Sequence, residues 1–201
     1  MSGNFRNRIE QFIREQARPI EKFGHQPRLY ALTQQIGKSM TYDDDVVFAA
    51  TWLHDLGVFT GHRPEDPEAL SVWDNTAYAI AKAPQVLSDC EFPMTKQAAV
   101  VETIRTHQPS SRPTSLEGEI LRDADILEQL GAIGVMRAVC KVGRDTRFPD
   151  FTSAATSLRK ALAALPAQIH LDVTRTLAQP RIALLQMFLA QLDAESLPAL
   201  Y

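Results

Sequence analysis

Thr51-Trp52-Leu53-His54-Asp55-Leu56-Gly57 sets a histidine and an aspartate side by side at the end of an apolar segment, just before a glycine. Val47, Ala50 and His54 recur at i, i+3 and i+7, so they share one face of a helix. The spacing predicts that helix over about residues 43–56. Asp43, Asp44 and Asp45 crowd its start, where the helix dipole favours negative charge. Gly57 is expected to close it as a left-handed cap. His54 then faces inward at the helix end, with Asp55 one residue round. By itself the pair is a possible ligand set. It becomes a metal site only if other donors converge on it.

Upstream, Phe5, Ile9, Phe12 and Ile13 mark an amphipathic first helix that Pro19 ends. Pro27 suits the first turn of a second helix, with Leu29, Leu32 and Ile36 on one face and Gly37 at its exit. His25 sits at the mouth of that helix and Arg28 in its first turn. Downstream, Gly61, Pro64 and Pro67 make residues 58–67 a loop that carries His62 and starts directly after the pair. A helix over about 67–82 follows, with Pro84 closing it. Another runs from a cap at Thr95 to about His107, where Val100, Ile104 and His107 form one stripe. The Ser- and Pro-rich residues 108–115 connect to a long helix over about 115–142. Thr114 and Glu117 are spaced as its capping box. This helix carries Asp123 and Asp125. Helices over about 153–165 and 167–195 complete the chain, the second kinked at Pro180.

Strand patterning is scarce, so the fold class is all-α, a bundle of seven or eight helices. At 201 residues and 45% hydrophobic content the chain is expected to be a single domain over 1–201. Its core would span about 20–142, with the C-terminal helices 153–195 packed on it. A net charge of −3 lacks the footprint of a duplex nucleic-acid binder. The start of the chain has no apolar signal core, and no apolar run reaches the ~18 residues of a bilayer span. A cytoplasmic protein without a membrane partner is expected. Cys90 and Cys140 have no CxxC spacing and read as free thiols.

Three helix ends therefore offer histidine nitrogen or carboxylate oxygen: His25, His54-Asp55, and the acids Asp123 and Asp125. Mixed N/O ligation suits Mn, Fe, Co, Ni, Zn or Mg, and the lack of cysteine argues against a structural zinc site. Helical geometry leaves both acids open. Asp123 shares a face with Leu127 and Leu130, and Asp125 with Leu121 and Met136.

The order His … His-Asp … Asp resembles the HD superfamily of metal-dependent phosphohydrolases. The likeness is close around His54-Asp55-Leu56-Gly57. It is close again at Ile120-Leu-Arg-Asp-Ala-Asp-Ile-Leu-Glu-Gln-Leu-Gly-Ala-Ile-Gly134, which is similar to the DAD-x-L … LGAIG signature of small stand-alone bacterial HD proteins. Residues 102–107 and 178–195 fit the same subgroup, and the resemblance covers about 20–195. It implies metal ligands at His25, His54, Asp55 and Asp125, since the family's last ligand follows a small residue, here Ala124. Asp123 would then orient a ligand or face solvent. One divalent ion is implied, and a second is not expected. Asp55 would also orient the attacking water. His107 would be a substrate contact, a general acid or a ligand of a second ion. Arg28 suits a phosphate clamp, and His62 a substrate contact. The implied substrate is a small phosphate ester, a nucleotide among them, and the implied assembly is a monomer or homodimer.

Each residue also has a plainer reading. His25 suits a helix cap, His54 a hydrogen-bonded core histidine, Arg28 a solvated arginine and His107 a structural role. Two other functions compete. An HD-fold di-iron oxygenase would need extra histidines between the pair and the last aspartate. Only His62 and His107 are available, and His62 lies closer to His54 than that family's spacing. A nucleotide-binding regulatory protein without turnover is the third reading. Retention of every metal position argues against it.

Overall fold

The computed structural model describes residues 3–145 and 147–196, leaving residues 1–2, 146 and 197–201 of the expected 1–201 domain outside the described residues. The chain is all-α. Among the described residues there are ten α-helices, three short 3-10 turns and no strand. None of these helices is long and apolar enough to cross a membrane. By its internal contacts the chain falls into two compact units, Met1–Arg122 and Asp123–Tyr201.

The first unit holds α1 (Gly3–Gln16), α2 (His25–Gly37), α3 (Asp44–Leu53), α4 (Pro67–Ser71), α5 (Asn75–Asp89), α6 (Met94–Thr106) and the start of α7 (Leu116–Gln129). Every residue of α3 from Val46 to Leu53 is buried, and α1, α2, α5 and α6 all pack on it. A helix that is apolar all round belongs at the centre of a core. The three acids at its start act as a clamp. Asp43 caps the helix by accepting from Asp45 N and Val46 N. Arg6 of α1 reaches Asp44 and Asp45 at 2.9 and 2.6 Å, and Lys96 of α6 reaches Asp43 and Asp45 at 2.9 Å.

The structure corrects several boundaries. The expected 43–56 helix stops at Leu53, and a 3-10 turn over Leu56–Val58 follows. Gly57 is not a left-handed cap. It is there for closeness: a Cβ at Gly57 would lie 2.7 Å from the carbonyl oxygen of Asn75. The expected 67–82 helix is two, because Asp74 caps α5 anew by accepting from Ala77 N at 2.9 Å. Pro84 does not end that helix but lies inside it on an exposed face, where water can serve the carbonyl that proline leaves unbonded. The Thr114–Glu117 capping box does not form. Ser115 Oγ accepts from Gly118 N instead, and Glu117 accepts from Asp43 N at 2.8 Å.

The second unit holds the rest of α7, then α8 (Gly131–Val139), α9 (Phe151–Ala164) and α10 (Asp172–Glu195). The expected 115–142 helix breaks at Leu130-Gly131. Gly131 takes φ +72, a left-handed value that suits glycine. Arg181 of α10 packs over this break and donates to Leu127 O at 2.8 Å. The extra α4/α5 and α7/α8 breaks raise the count to ten helices among the described residues, where seven or eight were expected. Pro180 lies inside α10, and α8, α9 and α10 pack on one another. Cys90 and Cys140 are free thiols.

Candidate metal centre

Three of the expected donors stand where helices begin or end, so their side chains are not committed to the helix flank. His25 is the first residue of α2, His54 caps the C-terminus of α3, and Asp55 follows at φ −101, ψ 15, in the sparsely populated bridge region. His25 and His54 are buried, and the Asp55 side chain is mostly so.

One donor atom from each of the three makes a corner of a near-equilateral triangle. His25 Nε2 is 3.4 Å from His54 Nε2, and Asp55 Oδ2 is 3.5 and 3.6 Å from the two nitrogens. The centre of such a triangle is about 2.0 Å from each corner (the side divided by √3), which matches metal–nitrogen and metal–carboxylate bond lengths. His54 Nδ1 lies 2.9 Å from Thr51 O, and a carbonyl can only accept. The Nδ1–H therefore donates, and the Nε2 lone pair is turned into the triangle. Nitrogen and oxygen donors at this spacing could hold a divalent ion.

His107, the C-cap of α6, is buried against this group. Its ring stands edge-on to His54 with centroids 5.0 Å apart. Its Nδ1–H donates to Ile104 O at 2.6 Å, and Gln108 Nε2 lies 3.3 Å from its Nε2. Arg28 is exposed one turn into α2 and folds back over the helix start: its Nη1 lies 3.0 Å from where a Cβ on Gly24 would be.

His62 is tied differently. Its Nε2 lies 2.8 Å from Gln16 Oε1 and its Nδ1 2.9 Å from Tyr78 OH, so it pins the 58–67 loop to α1 and α5. Burial, with Lys82 nearby, pulls its pKa below the usual histidine value.

On α7 the two acids differ in their company. Asp123 is fully buried, and its carboxylate accepts from His170 N at 3.0 Å and Leu171 N at 2.8 Å, the backbone that leads into α10. Asp125 is half-buried, and Gln129 Nε2 reaches its Oδ2 at 3.2 Å. The sequence reading missed Gln108 and the Thr51 carbonyl. Gln108 follows His107 directly, but no spacing rule marks it. The carbonyl has no sequence signature at all.

The HD domain profile matches residues 23–130. The chain belongs to the HD domain family. HD domains bind divalent metal ions. The uncharacterized protein YpgQ of Bacillus subtilis (strain 168) is 31% identical over 88 residues, which span 43% of this chain and 43% of YpgQ. Among solved structures, B. subtilis YpgQ in complex with ADP is 22% identical, with 98% of this chain and 96% of that one covered and a TM-score of 0.73. A predicted HD superfamily hydrolase from an uncultured Thermotogales bacterium is 23% identical, covering 94% and 91%, with a TM-score of 0.64. An HD-superfamily hydrolase from Bacillus thuringiensis is 18% identical, covering 95% of each chain, with a TM-score of 0.69. At these identities the structures speak to the fold.

Proposed function

We propose that the chain is a metal-dependent phosphohydrolase acting on a small phosphate ester, a nucleotide among the candidates. The observation that carries this reading is the 3.4–3.6 Å triangle of His25 Nε2, His54 Nε2 and Asp55 Oδ2. Asp125 is our fourth ligand. The family resemblance implies Asp125 as that ligand, and the carboxylate of Asp123 is already taken by two backbone N–H groups. When bound, a divalent ion lowers the pKa of water towards neutrality and draws charge from phosphoryl oxygens.

The other steps belong to this chain's own residues. Asp55 holds the attacking water by accepting a hydrogen bond at its carboxylate, which aims the lone pair at phosphorus. Arg28, exposed at the start of α2, offers a planar fork to the phosphoryl oxygens. His107, buried beside His54 with its ring proton on Nδ1, must first take up a proton at Nε2, and in that form it gives this proton to the departing oxygen. Burial of His54 and His107 in the core makes charge beside them count for more. His62 drops out as a substrate contact in this reading, because both of its ring nitrogens serve Gln16 and Tyr78. The same bonds weigh against a di-iron oxygenase that would use it. The ADP held by YpgQ supports a nucleotide as substrate or product.

The test is a panel of phosphate esters with Mn, Fe, Co, Ni, Mg and Zn, run with the wild-type chain and Asp55→Ala. Hydrolysis of at least one ester with one added metal, its loss in a chelator, and its loss in Asp55→Ala together with bound metal are expected. An Asp55→Ala chain with full rate and full metal content would sink the scheme.

A further inference from the structure

We infer that a groove of about 550 Å³ beside His107 seats the nucleoside part of the substrate, an inference that rests on the phosphohydrolase reading above. The groove lies wholly within the first unit. Trp73, Thr76, Ala77 and Ile80 line it from α5 and the turn before it, and Gln108 and Ser110 from the turn after α6. Its volume falls in the usual range for small-molecule sites.

Trp73 gives it a fixed aromatic wall. The indole N–H donates to Gly57 O at 2.9 Å, and the ring leans on Tyr78 with centroids 5.3 Å apart. A ring held at both its polar and its apolar side is ready to stack without losing further freedom. Amide and hydroxyl groups supply the hydrogen bonding. Gln108 Nε2 sits 3.0 Å from Thr76 Oγ1 and 3.3 Å from His107 Nε2. The groove's charged side chains are balanced and engaged elsewhere. The carboxylate of Asp74 caps α5, and Arg105 faces Glu102 at 3.5 Å. An aromatic wall, neutral polar groups and no net charge fit an uncharged planar heterocycle with a polar edge, not a second phosphate.

The groove is also joined to the metal centre at two points. Gln108 touches His107, whose ring lies on His54. Trp73 holds the carbonyl of Gly57, two residues beyond Asp55. A heterocycle seated here would set its attached phosphate on the His107 side of the ligand triangle.

The test uses the full chain loaded with manganese and compares two probes by calorimetry, the non-hydrolysable methylene analogue of ADP and inorganic pyrophosphate. Ala77→Trp and Ser110→Trp fill the groove from its two sides. The wild-type chain is expected to bind the analogue at least tenfold more tightly than pyrophosphate. Each variant should weaken the analogue at least tenfold and change pyrophosphate binding less than twofold. Pyrophosphate binding also reports that the variants are folded. Equal affinity of the wild-type chain for both probes overturns the proposal, as does equal weakening of both probes or of neither. Selective binding in a chain that hydrolyses no ester would leave the groove standing and remove the hydrolase reading. Hydrolysis of simple esters without selective binding would do the reverse.

Discussion

The ring of His107 stands edge-on to that of His54, with centroids 5.0 Å apart and planes at 71°. Its Nδ1 is tied to the carbonyl of Ile104, and Gln108 Nε2 faces its Nε2 at 3.3 Å. The triangle of His25, His54 and Asp55, our proposed ligands, is built without it. His107→Gln should therefore keep one ion per chain, counted by plasma mass spectrometry. It should lose about 10²-fold in kcat, the usual worth of a positioned general acid. Loss of the ion in this variant would make His107 a ligand instead.

Asp123 and Asp125 should part company under substitution. Asp123→Ala strands two backbone N–H groups beside a fully buried position. The expected cost is about 2–4 kcal/mol, a fall in Tm of roughly 5–15 °C for a chain this long. Asp125→Asn should barely move the Tm of the metal-free chain but weaken metal binding at least tenfold. Thermal melts with and without chelator, plus metal counting, separate the two.

Gly57 packs against α5 two residues after Asp55. A methyl group there would lie 2.7–2.8 Å from the backbone of Asn75, which cannot swing aside as a side chain can. Gly57→Ala should cost about 1–3 kcal/mol by overpacking. It should also weaken metal binding, because the displaced turn begins at Asp55. Denaturant titration and metal affinity are the two readouts. A variant with wild-type values in both would show that the turn has slack.

Acid should loosen the clamp at the start of α3 and the turn before α9. Burial alone would raise the pKa of Asp45, but hydrogen bonds from Arg6 and Lys96 carry it below the ordinary value of 3.8. Arg147 takes Asp145 down to about 2. A carboxylate with a depressed folded-state pKa stabilises the fold at pH above its unfolded value. That stability drains away as pH falls through the folded value. The carboxylate contribution to the unfolding free energy should therefore be level above about pH 5 and decline between about pH 4 and 2, separate from the earlier loss that His62, its pKa lowered by burial, begins near its unfolded value of 6.5. Asp145→Asn should make the decline shallower. An equally steep decline in that variant would remove Asp145 from the account. The pair is largely solvent-facing on the arginine side, so the effect is a modest one.

Helix positions were largely legible in the sequence because the period of 3.6 is a local property. Val47, Ala50 and His54 on one face, and Val100, Ile104 and His107 on another, announce two histidines at two inward helix ends. Pro27 announces the third at the mouth of α2. The glycines were less legible. Gly131 and Gly57 look alike as letters. One supplies a left-handed turn under Arg181, and the other a close approach to Asn75. Both partners are distant in sequence, so no local rule separates them.

The sequence by itself determined an all-α chain with His25, His54-Asp55 and His107 at helix ends, and with mixed nitrogen and oxygen donors for a metal. Tertiary structure decided what each polar group meets. It gave Asp123 to the backbone at His170 and Leu171, 47 and 48 residues away, and His62 to Gln16 and Tyr78. It also split two expected helices, at Val72–Asp74 and at Leu130-Gly131. The reason is range. Helical faces follow from neighbours three or four residues apart, whereas a buried carboxylate or imidazole is claimed by whichever distant donor the packing brings to it.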